Sequence, residues 1–312
     1  MSYSLGTLTG YVEQNGSDIL TKMVFGGKTI SMLTKKVGIK SAETLNLMDT
    51  DAIIQQGGSC GFNSSGTTAI TQRQIVVGKM KVQESLCPPD LEAYFTQKAL
   101  QAGSNYDMIA YSKDYTDLKV AKINRAMELL VWQADSNGAD EFDGLRVILD
   151  AEATVVEANT TVYYGTPATS FTDSNALQIA QAVFKAIPAD VIDASDLVAF
   201  CGWDFFKHLI CDITNSNFFA YVTDKVAASG EITIPGTNLK FVAVHGLDGE
   251  DAIYCGQLSN LFYGTDLLSE EDKFTLKYDE INELVKFSAK WKSGVQVAFP
   301  AQIVAFRIPP GS

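Results

Sequence analysis

The chain has 312 residues, 46% of them hydrophobic and 20% charged, with a formal net charge of −13. That is enough apolar material for one large or two modest folded domains, and no apolar run approaches the roughly 18 residues of a membrane-spanning helix. The carboxylate excess makes the surface as a whole repel nucleic acid and anionic lipid.

Met1-Ser2-Tyr3-Ser4-Leu5-Gly6 lacks a basic stretch leading into an apolar run, so a secretory signal is not expected. The five cysteines (Cys60, Cys87, Cys201, Cys211, Cys255) are odd in number and form no C-x-x-C pair. They argue against a zinc site or a disulfide framework and suit a reducing compartment. Most are expected to be small buried hydrophobes, with Cys60 exposed. Charge is uneven along the chain. The first 85 residues hold eight Lys and Arg against six Asp and Glu, so the acidic excess lies in the remainder.

Residues 1–46 mix glycines with scattered apolar anchors such as Leu20, Met23, Val24 and Phe25, and predict an extended arm rather than a packed unit. A polar hairpin is expected next, outward through residues 51–56, over a Gly/Ser-rich tip at 57–68, and back through 71–84. On the return strand Ile75 and Val77 share a face. The pattern then slips by one at Gly78, so that Met80 and Val82 continue it, the signature of a β-bulge. Pro88-Pro89 opens a short helix with Leu91, Tyr94, Phe95 and Ala99 on one stripe, stopped at Gly103. A helix of about 30 residues and about 45 Å follows, carrying Ile109, Val120, Ile123, Met127 and Leu130, and ends at the turn residues 135–138. A two-stranded ribbon is marginal alone in water. A projecting ribbon braced by a long helix is a shape for lying on copies of the same chain.

Beyond Leu145 the pattern becomes mixed. Residues 147–149 and 155–156 predict strands and 158–174 a Thr-rich loop. Ser174 is the expected cap of a helix with Leu177, Ala180, Phe184 and Ile187 on one face, stopped by Pro188. Residues 197–201 predict a buried strand, and 204–213 a helix with Phe206, Leu209, Ile210 and Ile213 inward. This α/β portion runs to about Gly246. Residues 239–245, 273–279, 285–291, 295–299 and 302–308 predict further strands. In the third of these Val285, Phe287, Ala289 and Trp291 alternate with Lys286, Ser288 and Lys290, which indicates an antiparallel sheet with one polar face. The fold class is α+β.

Signs of catalysis are sparse. His208 and His245 are the only histidines, and no nucleotide-binding loop, nucleophile elbow or zinc-protease motif is present. The Gly57-Gly58-Ser59-Cys60-Gly61 run is not followed by a helix opening on Lys-Ser/Thr. Asp248/Glu250/Asp251 and Glu270/Glu271/Asp272 could hold a hard cation, but solvated loop charge is the plainer reading. No cofactor, metal site or enzymatic activity is expected; an acidic-site hydrolase or lyase is the alternative from another class.

The order of parts, with Phe25-Gly26-Gly27-Lys28, the run Lys36 to Glu43, Gln56 to Phe62, Ser65-Gly66, Asn260 to Leu267, Gly294 and Phe299-Pro300, resembles the major capsid proteins of tailed bacteriophages, the HK97-type fold. The resemblance implies an N-arm at 1–46, an E-loop hairpin at 47–86, a P-domain with spine helix at 87–150 and 257–312, and an A-domain at 151–256. It implies self-assembly through hexamers and pentamers into an icosahedral-type phage head, built in the host cytoplasm, that encloses double-stranded DNA without reading its sequence. Portal, head-decoration and separate scaffolding proteins are the implied partners, with no membrane. An encapsulin-like compartment shell is the alternative with the same fold. Expected inter-subunit contacts are Phe25, Lys28, Lys36, Lys40, Cys60, Phe62, Arg73, Lys79 and Lys81. Some members of the family crosslink through a ribbon lysine, but no motif identifies partners for Lys79 or Lys81. Reversing the charge of these two is expected to disturb assembly more than the same change at Lys290 and Lys292.

Overall fold

The computed structural model describes residues 19, 21–50, 53–54, 65–86, 108–138, 140–216, 229–234, 236–266, 273–279, 281–282 and 284–309. The hairpin tip with Cys60 and Phe62, the short helix expected at 88–103, Cys87 and the Glu270/Glu271/Asp272 cluster lie outside them. The helices are α1 (Lys28–Met32), α2 (Met108–Gln133), α3 (Leu145–Ala151), α4 (Ala176–Ala186) and α5 (Trp203–Asn215). The strands are β1 (Thr34–Val37), β2 (Ala42–Thr50), β3 (Thr68–Val76), β4 (Gly78–Leu86), β5 (Val156–Glu157), β6 (Leu197–Cys201), β7 (Glu231–Thr233), β8 (Lys240–Ala243), β9 (Ala252–Gln257), β10 (Leu261–Thr265), β11 (Lys273–Asp279), β12 (Leu284–Val297) and β13 (Val304–Arg307).

One sheet runs β1-β10-β12-β11, with β4 also paired to β12; a second runs β5-β13-β9-β6-β8-β7; β2 and β3 form a separate ribbon. The long helix α2 lies over the first sheet. Ile123, Met127 and Val131 share a core with Phe287, Ala289 and Trp291 of β12, and Met80, Val82 and Leu86 of β4 pack against it. Period-two alternation along β12 therefore sends its odd-numbered residues to the helix and its lysines to the opposite face.

The continuous apolar run of β6 has the same kind of cause. Val198 and Phe200 face the α2 core, where the Phe200 ring lies 5.3 Å from Trp132. Leu197, Ala199 and Cys201 face a second core built with Ile179 and Val183 of α4 and Phe205, Phe206 and Leu209 of α5. A strand covered on both sides has no polar face to show. The start of α4 is capped from α5: the Leu177 amide donates to Asp212 at 2.8 Å. Asn175, not Ser174, is the N-cap residue, and its side chain makes no capping bond.

Five expectations change. The segment from residue 19 to Ile39 is packed, not an extended arm. Ile19, Met23, Val24, Ile30 and Leu33 enter the α2 core, and β1 adds a parallel strand beside β10. Residues 147–149 are helical, because Leu145 and Leu149, one turn apart, both point into that core. The outgoing ribbon strand is β2, several residues earlier than expected. The phase slip at Gly78 is a change of partner, not a bulge: β3 pairs with β2 up to Val76, and from Gly78 the chain pairs with β12. A β-carbon at Gly78 would stand 2.5 Å from the Glu141 backbone, so the crossing needs glycine. Finally, β13 belongs to the second sheet, between β5 and β9.

Candidate assembly surfaces

The ribbon is seated on its own subunit along one face. Leu45, Leu47 and Ile75 are buried with Ile39, Val77 and Ala298, against Phe262 and Phe299. Two glycines permit this seat. A β-carbon on Gly294 would lie 2.0 Å from the Val76 carbonyl oxygen, and one on Gly264 would lie 2.7 Å from the Ile75 side chain. Arg73 fixes the ribbon further by pairing with Glu152 and donating to the Val297 carbonyl at 3.2 Å. The other face is open. Met48 stands directly opposite Ile70, with 67% and 68% of their surfaces exposed, and Asn46 and Gln72 join across the ladder at 2.9 Å.

The segment before the ribbon is held by a buried polar latch. The Thr29 amide donates to both Glu128 oxygens at 3.1 Å, its hydroxyl bonds to Glu128 as well, and Trp132 Nε1 donates to the Thr29 hydroxyl at 2.9 Å. Burial raises the Glu128 carboxyl above its ordinary range, against the opposing effect of these hydrogen bonds. Next to it the Lys28 ammonium donates to the carbonyls of Ser229, Ala243 and Gly230 at 2.9, 3.1 and 3.3 Å, and burial lowers its pKa. Phe25 meets Tyr263 edge-on at 6.2 Å, with the Lys35 ammonium 4.5 Å over its ring.

Of the expected contact residues, Phe25, Lys28 and Arg73 thus spend their interactions inside the subunit. Lys36 is half-buried in β1, and Lys40 is exposed. Lys79 and Lys81 are exposed, but on β4 of the first sheet and not in the ribbon. There Lys79 lies opposite Lys292 and Lys81 opposite Lys290. Lys292 turns inward to a buried ion pair with Asp266 at 2.9 Å and donates to the Lys40 carbonyl at 3.0 Å. On the far side of β12, Lys277 of β11 lies opposite Lys286. In the sequence these lysines fall in two separate regions. The shared signal was period-two lysine in both strands. An open groove of about 1150 Å³ runs past β4, lined among others by Lys79, Lys81, Lys290, Glu141 and the α2 residues Ile123 and Met127.

The residues considered for chemistry are engaged structurally. Asp248 accepts from the Trp203 amide at 2.8 Å and bonds His245 at 2.7 Å, Glu250 pairs with Arg146, and His208 bonds Asp173 at 2.6 Å. Among the described residues no group of three or more His, Cys, Asp or Glu is placed to hold a metal ion.

No family model matches the sequence, and no curated protein is similar to it. Solved structures are similar over almost the whole chain. The satellite phage P4 procapsid with its size-determination protein superposes with a TM-score of 0.61 at 10% identity, covering 94% of this chain and 90% of that one. The capsid of Myoviridae phage XM1 gives 0.52 at 12% identity over 88% and 89%. The chain has the HK97-type capsid fold. A virus-like particle from Pyrococcus furiosus shares this fold, with a TM-score of 0.52 at 11% identity over 97% and 98% of the two chains. In HK97-type terms α2 is the spine helix and the β2–β3 ribbon the base of the E-loop.

Proposed function

We propose that the chain is a major capsid protein that assembles through hexamers and pentamers into a phage head around double-stranded DNA. The observation that carries this reading is the likeness to the P4 procapsid over 94% of one chain and 90% of the other, joined to a ribbon whose outer face leaves Met48 and Ile70 exposed. The role is structural rather than catalytic. The head is built in the host cytoplasm, with portal, scaffolding and decoration proteins as partners. Phe25, Lys28 and Arg73 support assembly indirectly, by setting the arm and ribbon in place, while Lys36, Lys40, Lys79 and Lys81 are available to neighbours. Cys60 and Phe62 are kept as contacts of the ribbon tip.

A second reading, a shell without a viral genome, is favoured by the likeness to the Pyrococcus furiosus virus-like particle over 97% of this chain. Expression followed by sedimentation, electron microscopy and mass spectrometry of the particles decides. Particles holding genome, portal and tail proteins are expected. A single packaged enzyme would favour the compartment, and a subunit that stays monomeric under all conditions would remove both.

A further inference from the structure

We infer that the lysine face of the β4–β12–β11 sheet is an electrostatic docking surface for a carboxylate-bearing surface of a second copy of this chain. The inference rests on the shell reading above and names a surface and a chemistry that it leaves open.

The face is set by register. Directly opposed residues in an antiparallel ladder project to the same side with β-carbons about 4.5–5.5 Å apart. Lys81 therefore stands beside Lys290, and Lys277 beside Lys286. Lys79 sits one step further along β4. All five are exposed. The positions between them are filled by Gln83, Ser85, Thr275 and Ser288, so the face is polar throughout. Among the described residues Lys286 is the one of the five with a carboxylate partner, Asp279. Among the described residues Lys79, Lys81, Lys277 and Lys290 have none. Like charges directly opposite each other destabilise a sheet, so this face is held together better with anions above it than without.

Two other accounts fit less well. Lysines on an edge strand discourage stray strand pairing, which would explain Lys79 and Lys81. It does not explain Lys286 and Lys290, because β12 is flanked by β4 and β11 along that length. Nucleic acid would also be attracted. Yet the described positions of the face carry no arginine to grip phosphate with two bonds and no aromatic ring to stack a base, and the molecule as a whole carries −13.

The chain itself supplies the complement. Its first 85 residues are slightly basic, so the carboxylate excess lies on the remainder, and copies of that acidic surface are brought against neighbours in any shell. The ribbon marks the same side of the sheet as an approach surface. Gly294 shares the β12 face of Lys290 and Lys286 and is where Val76 of the ribbon sits. A neighbour covering the open Met48–Ile70 face would come down beside the lysines.

The test compares wild type, Lys81→Glu/Lys290→Glu, Lys81→Gln/Lys290→Gln, and a control, Lys122→Glu/Arg125→Glu, on the exposed side of α2. Assembly is followed by light scattering and electron microscopy between about 0.1 M and 1 M salt, where the Debye length falls from about 10 Å to about 3 Å. Binding of each dissociated subunit to a short DNA duplex is measured alongside. Wild-type assembly should slow with salt. The Glu pair should assemble about tenfold or more slowly at low salt, and the Gln pair should lie between with a flatter salt response. The control should follow wild type. Circular dichroism of dissociated subunits checks the fold, and the Gln pair decides if the Glu pair does not fold. Assembly of both lysine variants at the wild-type rate and salt response overturns the inference. So does an equal loss in the control, or loss of DNA binding with assembly intact. Wild type that never assembles overturns the shell reading instead.

Discussion

Lys81 of β4 and Lys290 of β12 face each other directly across an antiparallel ladder, although they are 209 positions apart in sequence. The neighbouring couple, Lys79 and Lys292, is opposed in the same way but differs in burial, because Lys292 reaches Asp266 in the interior. The contrast expected between ribbon lysines and C-terminal lysines therefore gives way to one between open and buried lysines of a single sheet. Lys290→Glu should convert a repulsive couple to an attractive one and raise subunit stability by about 0.2–1 kcal/mol. Lys292→Glu should lower it by about 3–5 kcal/mol, since Asp266 is left buried beside a second carboxylate. Urea unfolding of dissociated subunits measures both. Equal midpoints for the two variants would contradict the register.

The Glu128 latch makes a pH prediction. Its carboxyl is raised by burial from an ordinary 4.5, so its contribution to stability is fully present below the unfolded value and is lost as pH rises through the folded one. Gln at this position still accepts from the Thr29 amide and carries no charge to bury. Glu128→Gln subunits should equal or exceed wild type in stability at pH 8, with the advantage shrinking toward pH 5. Glu128→Ala leaves Thr29 without its acceptor and should cost about 1–3 kcal/mol at either pH. Denaturation curves at the two pH values check the sign.

Deleting residues 1–40 should abolish cooperative folding, not merely assembly. Met23, Val24, Ile30 and Leu33 are fully or almost fully buried in the main core. At about 1.5–3 kcal/mol per buried side chain their loss is comparable with the whole stability of a typical domain, about 5–15 kcal/mol. Calorimetry of the truncated chain is the measurement. A retained sharp transition would show that the segment is only peripheral.

The two faces of the ribbon should respond oppositely. Gly294→Ala pushes the ribbon off its seat and should cost about 1–3 kcal/mol, as overpacking does, with faster hydrogen exchange at Leu45 and Ile75. Met48→Ser/Ile70→Ser changes only exposed surface and should leave subunit stability within about 0.5 kcal/mol while slowing assembly.

Periodicity makes several elements legible in the sequence itself. The helices around Ile123 and Phe206, the buried strand at 197–201 and the alternation of 285–291 each follow from how far apart apolar residues fall. What the pattern does not encode is the partner. Nothing local to Lys79–Val82 says that β4 leaves the ribbon for β12, and a short stretch such as 147–149 reads as strand until Leu145 is seen to share its core. The packing of the arm is hidden for the same reason. Its apolar residues are few, but they fill gaps in a core built mostly by residues far along the chain. Cys201 and Cys255 are buried as expected, while Cys211 is exposed.

The placement of β13 ties both sheets to one stretch of chain. It lies between β5 and β9, and β12 lies between β4 and β11, so residues 284–307 complete both sheets. Long-range pairing of this kind folds slowly. Until that stretch docks, the ribbon has no β12 beneath it and the second sheet has lost the strand that joins β5 to β9, so the two cores are completed together rather than in turn.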